Sequence, residues 1–206
     1  MQQIMVIHGG TTFEKYDDYL RFLETKPLRV DSLLFKPGWK ELLQSNLGDS
    51  HQVLLPTMPN KTNARYNEWK TWFTHVSELL GDDCILIGHS LGAIFLAKYL
   101  SEHEVSFKIK ATILIAAPFN DAATEDLTDF KIDSLTPLLE KQAGKLIFFN
   151  GPDDPSVDIV EVEHYKQYVP GAEFYTLPAP DHFVRTDFPE LIARVKNLQV
   201  TTTALQ

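Results

Sequence analysis

Short apolar runs alternate along this chain with longer segments of helical periodicity, and that alternation limits the fold more than any other feature. The runs are mostly continuous in hydrophobicity, which is typical of strands buried on both faces of a parallel sheet. They cover residues 4–7, 52–55, 84–88, 111–116, 145–150 and 173–177. Amphipathic helix patterns between them cover residues 39–47, 65–80, 91–103, 157–168 and 187–198. The alternation predicts an α/β fold, in which a doubly wound, mostly parallel sheet lies between two helical layers.

Two segments do not fit the simplest form of this pattern. Residues 11–38 contain a helix-like stretch around 14–24, and residues 118–143 are polar, with several Asp and Thr. Both follow the carboxyl end of a strand, where ligands bind in open α/β sheets. We expect either surface packing or a lid or wall over a pocket. The remaining pattern predicts one domain over residues 1–200 and a frayed tail at 201–206.

Composition argues against several function classes. The formal net charge is −9 and no Lys/Arg cluster occurs, so neither nucleic acid nor a membrane surface is an expected partner. The lone cysteine, Cys84, lies in an apolar run and is interpreted as a small buried hydrophobe. The N-terminal sequence has no basic leader, and no apolar run approaches about 20 residues, so a cytoplasmic localisation is predicted.

The sharpest motif is Gly88-His89-Ser90-Leu91-Gly92, which lies between the third apolar run and the helix pattern after it. G-x-S-x-G in this strand–turn–helix context is typical of a nucleophile elbow. The turn strains the serine backbone, and side chains two residues to either side would collide, so both places require glycine. The following helix directs its N-terminal amides at the site, which favours developing negative charge. Ser90 is therefore the predicted nucleophile.

A serine hydroxyl needs an adjacent base, and a base after an elbow of this kind lies late in the chain, behind the acid. Of the seven histidines, His182 is the one that follows the last apolar run and precedes the last helix pattern. The acid is expected after the fifth run, where Asp153 and Asp154 both stand before Pro155. Asp154 is preferred because the residue just before the proline is usually the acid in this type of loop, and Asp153 is the alternative.

An oxyanion hole completes the chemistry. One donor is predicted to be the backbone N–H of Leu91, the residue after the nucleophile. The second should come from the loop after the first run, where the N–H of Gly10 is favoured and that of Thr11 is the alternative. Glycine at this place lets the backbone approach a substrate closely. His8 is interpreted as a structural hydrogen-bonding residue.

Other chemistries lack their motifs. No H-E-x-x-H sequence, paired Cys/His spacing, phosphate loop or dinucleotide fingerprint occurs, so neither a metal nor a cofactor is expected. The aromatic residues Tyr66, Trp69, Trp72 and Phe73 follow helical spacing and are interpreted mainly as core.

Three stretches together resemble a known family. They are 87–93 around the elbow, 151–155 around the acid, and 181–183 around His182, with the loop 55–59 also similar. The chain resembles compact α/β-hydrolases, and more narrowly the small serine hydrolases related to retinoblastoma-binding protein 9 and the bacterial YdeN-like proteins. The resemblance implies six parallel strands in the order 2-1-3-4-5-6, a Ser90–Asp154–His182 triad and esterase-like activity. No L-x-C-x-E stretch occurs, so the retinoblastoma protein is not an expected partner.

The residues and the resemblance together predict a carboxylesterase-like serine hydrolase (EC 3.1.1) that acts on a small acyl substrate through an acyl-enzyme intermediate. Two alternatives stay open at this point. The same triad supports acyl transfer, thioester cleavage or amide cleavage. A binding protein built on a hydrolase fold is the other alternative, because fold does not fix function.

Overall fold

The computed structural model describes residues 1–123 and 126–198, and the predicted tail at 201–206 lies outside them. Its strands form one sheet in the order β2-β1-β3-β4-β5-β6, and every pairing of neighbours is parallel. The sheet confirms the predicted class and strand order. The strands are β1 Gln2–Ile7, β2 His51–Leu54, β3 Cys84–His89, β4 Ile109–Ile115, β5 Lys145–Asn150 and β6 Glu173–Thr176.

Helices cover both faces of this sheet, which confirms the three-layer α/β/α architecture. They are α1 Tyr16–Thr25, α2 Val30–Leu33, α3 Trp39–Leu47, α4 Tyr66–Ser77, α5 Leu91–Glu102, α6 Pro137–Gln142, α7 Val160–Tyr168 and α8 Pro189–Asn197, with a 3₁₀ turn at Thr128–Phe130. One apolar core joins the sheet to α4, α5, α6 and α7, and the other joins it to α3 and α8.

Strand β3 shows why the central runs are apolar throughout. Cys84 and Leu86 enter the first core, while Ile85 and Ile87 enter the second, and all four side chains are fully buried. Alternate side chains of a strand point to opposite faces, so a sheet covered on both faces needs apolar residues at every position. The burial of Cys84 confirms its interpretation as a core residue.

Three of the four aromatic residues interpreted mainly as core are buried, and Trp72 is the exception. Tyr66, Trp69 and Phe73 of α4 are buried, but Trp72 is 38% exposed. Trp69 and Phe73 are four residues apart and share the buried face of the helix, whereas Trp72 is displaced from that face by one residue.

The two irregular segments differ in how they pack. No side chain of α1 or α2 is buried, and several large apolar residues of residues 16–35 are exposed. In contrast, residues 118–143 contribute Phe119, Leu127, Phe130 and Leu139 to the first core. The second segment is therefore anchored in the domain core, despite its polar composition, and the first lies on the surface.

Candidate active site

Ser90 lies between β3 and α5, where the chain reverses from strand to helix. Its backbone has φ 56° and ψ −121°, outside the ordinary strand and helix regions. A side chain on Gly88 would collide with the backbone of Gly92, and a side chain on Gly92 would overlap the carbonyl oxygens at the end of β1. The strained turn therefore exists because both neighbouring positions lack a Cβ, as the motif predicts.

His182 lies in the loop between β6 and α8, and its ring contacts both other members of the predicted triad. Nε2 is 2.8 Å from Ser90 Oγ, and Nδ1 lies 2.8 and 2.9 Å from the two carboxylate oxygens of Asp154. With the proton on Nδ1, the ring donates to Asp154 and its Nε2 lone pair can accept the serine proton.

Asp154 is held in place by its own loop. Its Oδ1 accepts the backbone N–H groups of Ser156 and Val157 at 2.8 and 3.0 Å, and its side chain is 1% exposed. The neighbouring Asp153 accepts the backbone N–H of Ala179 at 2.6 Å. The structure therefore brings Asp154 to the imidazole, whereas Asp153 joins its loop to the segment that leads to His182.

The loop after β1 packs against the elbow, since a Cβ on Gly9 would lie 3.2 Å from the Ser90 Cβ, and its residues Gly10 and Thr11 line the same cavity as Ser90. Gly10 is closely surrounded, because a Cβ there would lie 2.7 Å from the Lys61 carbonyl oxygen and 3.1 Å from the Leu91 side chain. The N–H of Thr11 donates to the same Lys61 oxygen at 2.8 Å. That bond occupies the Thr11 amide, so the geometry favours Gly10 of the two alternatives.

His8 forms two hydrogen bonds at the start of this loop. Its Nδ1 lies 2.6 Å from the Gly9 carbonyl oxygen and its Nε2 accepts the Met58 N–H at 2.9 Å. A carbonyl can only accept, so Nδ1 carries the proton and the ring is neutral. Burial lowers the pKa of His8, with Lys61 and Lys40 adding to the effect. These contacts agree with the structural role expected from the sequence.

A cavity of about 400 Å³ opens onto Ser90 and His182. Its volume falls within the range usual for small-molecule sites. Besides the His182 loop, four parts of the chain line it: Gly9, Gly10 and Thr11 after β1, Phe22 and Lys26 of the α1 region, His89 and Ser90 of the elbow, and Ser156 after β5. Phe22 and Lys26 lie in the segment considered as a pocket wall, but nothing in the local sequence singled out either residue.

Positive charge and burial affect the groups around this cavity. The pKa of His89 lies well below its usual value, first because the ring is buried and then because of the Lys40 ammonium. Burial also lowers the pKa of Lys40 itself to about 8. His89 is therefore neutral at pH 7, which matters because its ring contacts the His182 loop.

Two further features of the structure concern metal binding and membrane-spanning helices. Within residues 1–123 and 126–198, no group of three or more His, Cys, Asp or Glu side chains could hold a metal ion. None of the helices in the same part of the chain combines the length and hydrophobicity needed to span a bilayer.

Comparison with known proteins identifies the family and agrees with the fold. The rat (Rattus norvegicus) protein called serine hydrolase RBBP9 is 30% identical over 167 residues, which cover 78% of this chain and 86% of the rat protein. The ydeN gene product of B. subtilis shares the fold with a TM-score of 0.70 at 18% identity, covering 97% of this chain and 99% of its own. The Pyrococcus furiosus esterase Pf2001 has a TM-score of 0.58 at 19% identity, covering 96% of this chain and 79% of its own. A family model described as serine hydrolase matches residues 36–189, and the chain therefore belongs to the serine hydrolase family.

Proposed function

We propose that this hydrolase cleaves carboxylic esters with Ser90 as nucleophile, His182 as general base and acid, and Asp154 as the carboxylate that orients and stabilises the imidazolium. The observation that carries the proposal is the continuous chain of contacts from Ser90 Oγ through His182 to Asp154, each at 2.8–2.9 Å. Those distances are within the hydrogen-bonding reach that general-base catalysis requires.

Acylation begins when Ser90 Oγ attacks the ester carbonyl carbon and His182 Nε2 takes the hydroxyl proton. The carbonyl oxygen becomes an oxyanion, which the backbone N–H groups of Leu91 and Gly10 stabilise. Within the part of the chain that the structure describes, neither amide donates to a backbone carbonyl, so both are free to donate to substrate. Collapse of the intermediate breaks the bond to the alkoxy oxygen, which leaves as the alcohol with the proton from His182.

Deacylation repeats the chemistry with water. His182 Nε2 takes a proton from the water that attacks the acyl carbon, and the acyl–serine bond breaks as the proton returns to Ser90 Oγ. The products are one carboxylic acid and one alcohol, and the protein is regenerated. Ester cleavage is proposed ahead of amide cleavage because an alkoxide needs less leaving-group activation than an amine. The fold of the Pyrococcus furiosus protein, which is called an esterase, is compatible with this reaction.

A fluorophosphonate probe tests the nucleophile. We expect the folded protein to be labelled at Ser90, and Ser90→Ala to abolish both labelling and turnover of short p-nitrophenyl esters. Ser156→Ala is the matched control, because Ser156 lines the same cavity but gives Asp154 only a backbone N–H, which alanine retains. A folded wild-type protein that resists the probe, or labelling that requires Ser156, would contradict the proposal.

The acyl-binding role of the cavity has its own test. We expect kcat/KM across straight-chain p-nitrophenyl esters to rise and then fall with chain length as the 400 Å³ cavity fills. Adding alcohol or amine acceptors during turnover separates hydrolysis from acyl transfer. Equal rates above the uncatalysed background for wild type and His182→Ala would exclude catalysis by this triad. Rates at the uncatalysed background for both proteins would favour a binding protein.

A further inference from the structure

The loop that carries His182 has an unusual backbone. His182 and Phe183 both have φ 54°, so two consecutive non-glycine residues lie in the left-handed region. Side chains with a Cβ rarely adopt that conformation, and it persists only when surrounding structure holds it. Within the loop, the N–H of His182 donates to Ala179 and that of Val184 donates to Asp181. Those bonds fix the N–H groups around the strained pair but leave the carbonyls of the pair itself to be oriented.

Each of these two carbonyls accepts a ring N–H from a distant part of the chain. His89 Nε2 lies 2.8 Å from the His182 oxygen, and Trp39 Nε1 lies 3.0 Å from the Phe183 oxygen. Because a carbonyl can only accept, His89 carries its proton on Nε2. Both donor residues are buried, and their rings pack edge to face with centroids 6.2 Å apart.

The position of His89 gives the contact a specific consequence. It is the last residue of β3 and immediately precedes Ser90, so one ring connects the backbone of the candidate base to the end of the strand that leads into the candidate nucleophile. Trp39 adds a second attachment from the start of α3. Phe183 is also stacked on Phe188, but that contact holds its ring rather than the orientation of its peptide.

We propose that His89 and Trp39 are positioning residues, an inference that rests on the proposed function. Their ring N–H groups hold His182 within hydrogen-bonding distance of Ser90. We call this pair of donors the N–H clamp. Neither residue touches the reacting atoms in this role. The clamp sets the His182 Nε2 to Ser90 Oγ separation of 2.8 Å by fixing two peptide orientations in a strained loop.

Trp39→Phe tests the clamp, because it deletes one N–H and keeps an aromatic ring. We expect kcat for a short p-nitrophenyl ester to fall about tenfold while KM changes less than about twofold, since small misplacements of catalytic groups act on the chemical step. His89→Leu should lower kcat further, and His89→Gln, which retains an N–H donor, should recover part of the loss. Amide hydrogen exchange across residues 179–184 should accelerate in Trp39→Phe and His89→Leu.

Tyr165→Phe is the matched control. Its buried hydroxyl donates to the Pro118 carbonyl oxygen at 2.7 Å, so the variant also loses one aromatic side-chain donor to a backbone carbonyl, away from the His182 loop. We expect a similar loss of thermal stability with kcat unchanged. Equal kcat values for Trp39→Phe, Tyr165→Phe and wild type, with unchanged exchange in the loop, would overturn the clamp. A wild-type protein that neither reacts with the fluorophosphonate probe nor turns over esters would instead overturn the proposed function. In that case, faster amide hydrogen exchange in the clamp variants would still show that the loop is held as described.

Discussion

Replacing Asp154 with asparagine changes one atom and should remove most of the activity. The Asp154 carboxylate accepts the Nδ1–H of His182 and two backbone N–H groups of its own loop. An asparagine oxygen can still accept the two backbone groups, so the loop geometry should survive. Its NH₂ group then faces His182 Nδ1 and donates to it. Because that NH₂ group takes the Oδ2 position, 2.9 Å from Nδ1, it favours the tautomer that carries its proton on Nε2, and in that tautomer Nε2 cannot accept the proton of Ser90.

The expected size of the effect follows from that reversal of the tautomer. The same exchange in a serine protease triad lowers kcat about 10⁴-fold. Here the carboxylate is almost fully buried, so water cannot replace it, and we expect a loss of about 10³- to 10⁴-fold. At about 1.36 kcal/mol per tenfold change, this corresponds to roughly 4–5.5 kcal/mol of transition-state stabilisation.

Asp153→Asn supplies the control, because it makes the same chemical change one residue earlier. Asp153 accepts a single backbone N–H, from Ala179, and an asparagine oxygen can accept that bond as well. We expect kcat within about threefold of wild type and a loss of at most about 1 kcal/mol in the free energy of unfolding. The assay is steady-state hydrolysis of a short p-nitrophenyl ester, with circular dichroism and urea unfolding of each variant. Equal losses in the two variants, or a larger loss in Asp153→Asn, would refute the assignment of the acid.

Three further predictions concern the surroundings of the site. Gly10→Ala should lower kcat/KM about 10²-fold, because its Cβ would lie 2.7 Å from a carbonyl oxygen and displace an oxyanion donor. In Thr11→Ala, kcat/KM should stay within about threefold of wild type. Ester kinetics measured in parallel would contradict the prediction if the two variants had the same kcat/KM. Gly92→Ala should reduce the free energy of unfolding by about 2–3 kcal/mol in urea titrations, because its Cβ would overlap the Ile7 carbonyl oxygen. An unfolding midpoint equal to that of wild type would contradict this, because it would show that the turn can relax. Because the folded chain excludes a proton that His89 binds in the unfolded chain, the free energy of unfolding should fall as the pH falls below about 6.5, by at most about 1.4 kcal/mol per pH unit. Urea unfolding of wild type and His89→Gln at pH 7 and pH 5 measures this pH dependence. Equal pH slopes for the two proteins would count against the prediction.

The sheet and the elbow could be predicted because local chemistry determines both. Strands covered on two faces need apolar residues at every position, and the elbow needs glycine on each side of Ser90. The alternatives that stayed open depended on longer contacts. Adjacent carboxylates such as Asp153 and Asp154 diverge according to how their loop folds, and the Thr11 amide is occupied by a carbonyl 50 residues away in the chain, that of Lys61.

The two strained sites show where a sequence signal exists and where it is missing. At Ser90 the strain is relieved sterically by neighbouring glycines, and these glycines are visible in the sequence as G-x-S-x-G. At His182 and Phe183 no adjacent glycine marks the left-handed backbone, and nothing in the stretch 178–184 predicts it. The carbonyl groups of this strained pair accept hydrogen bonds from ring N–H groups of residues that are 93 and 144 positions away in the sequence. The information that marks this loop conformation therefore lies in tertiary contacts. A motif can therefore point to the candidate nucleophile, while the residues proposed to position the candidate base become visible only when the folded chain brings them together.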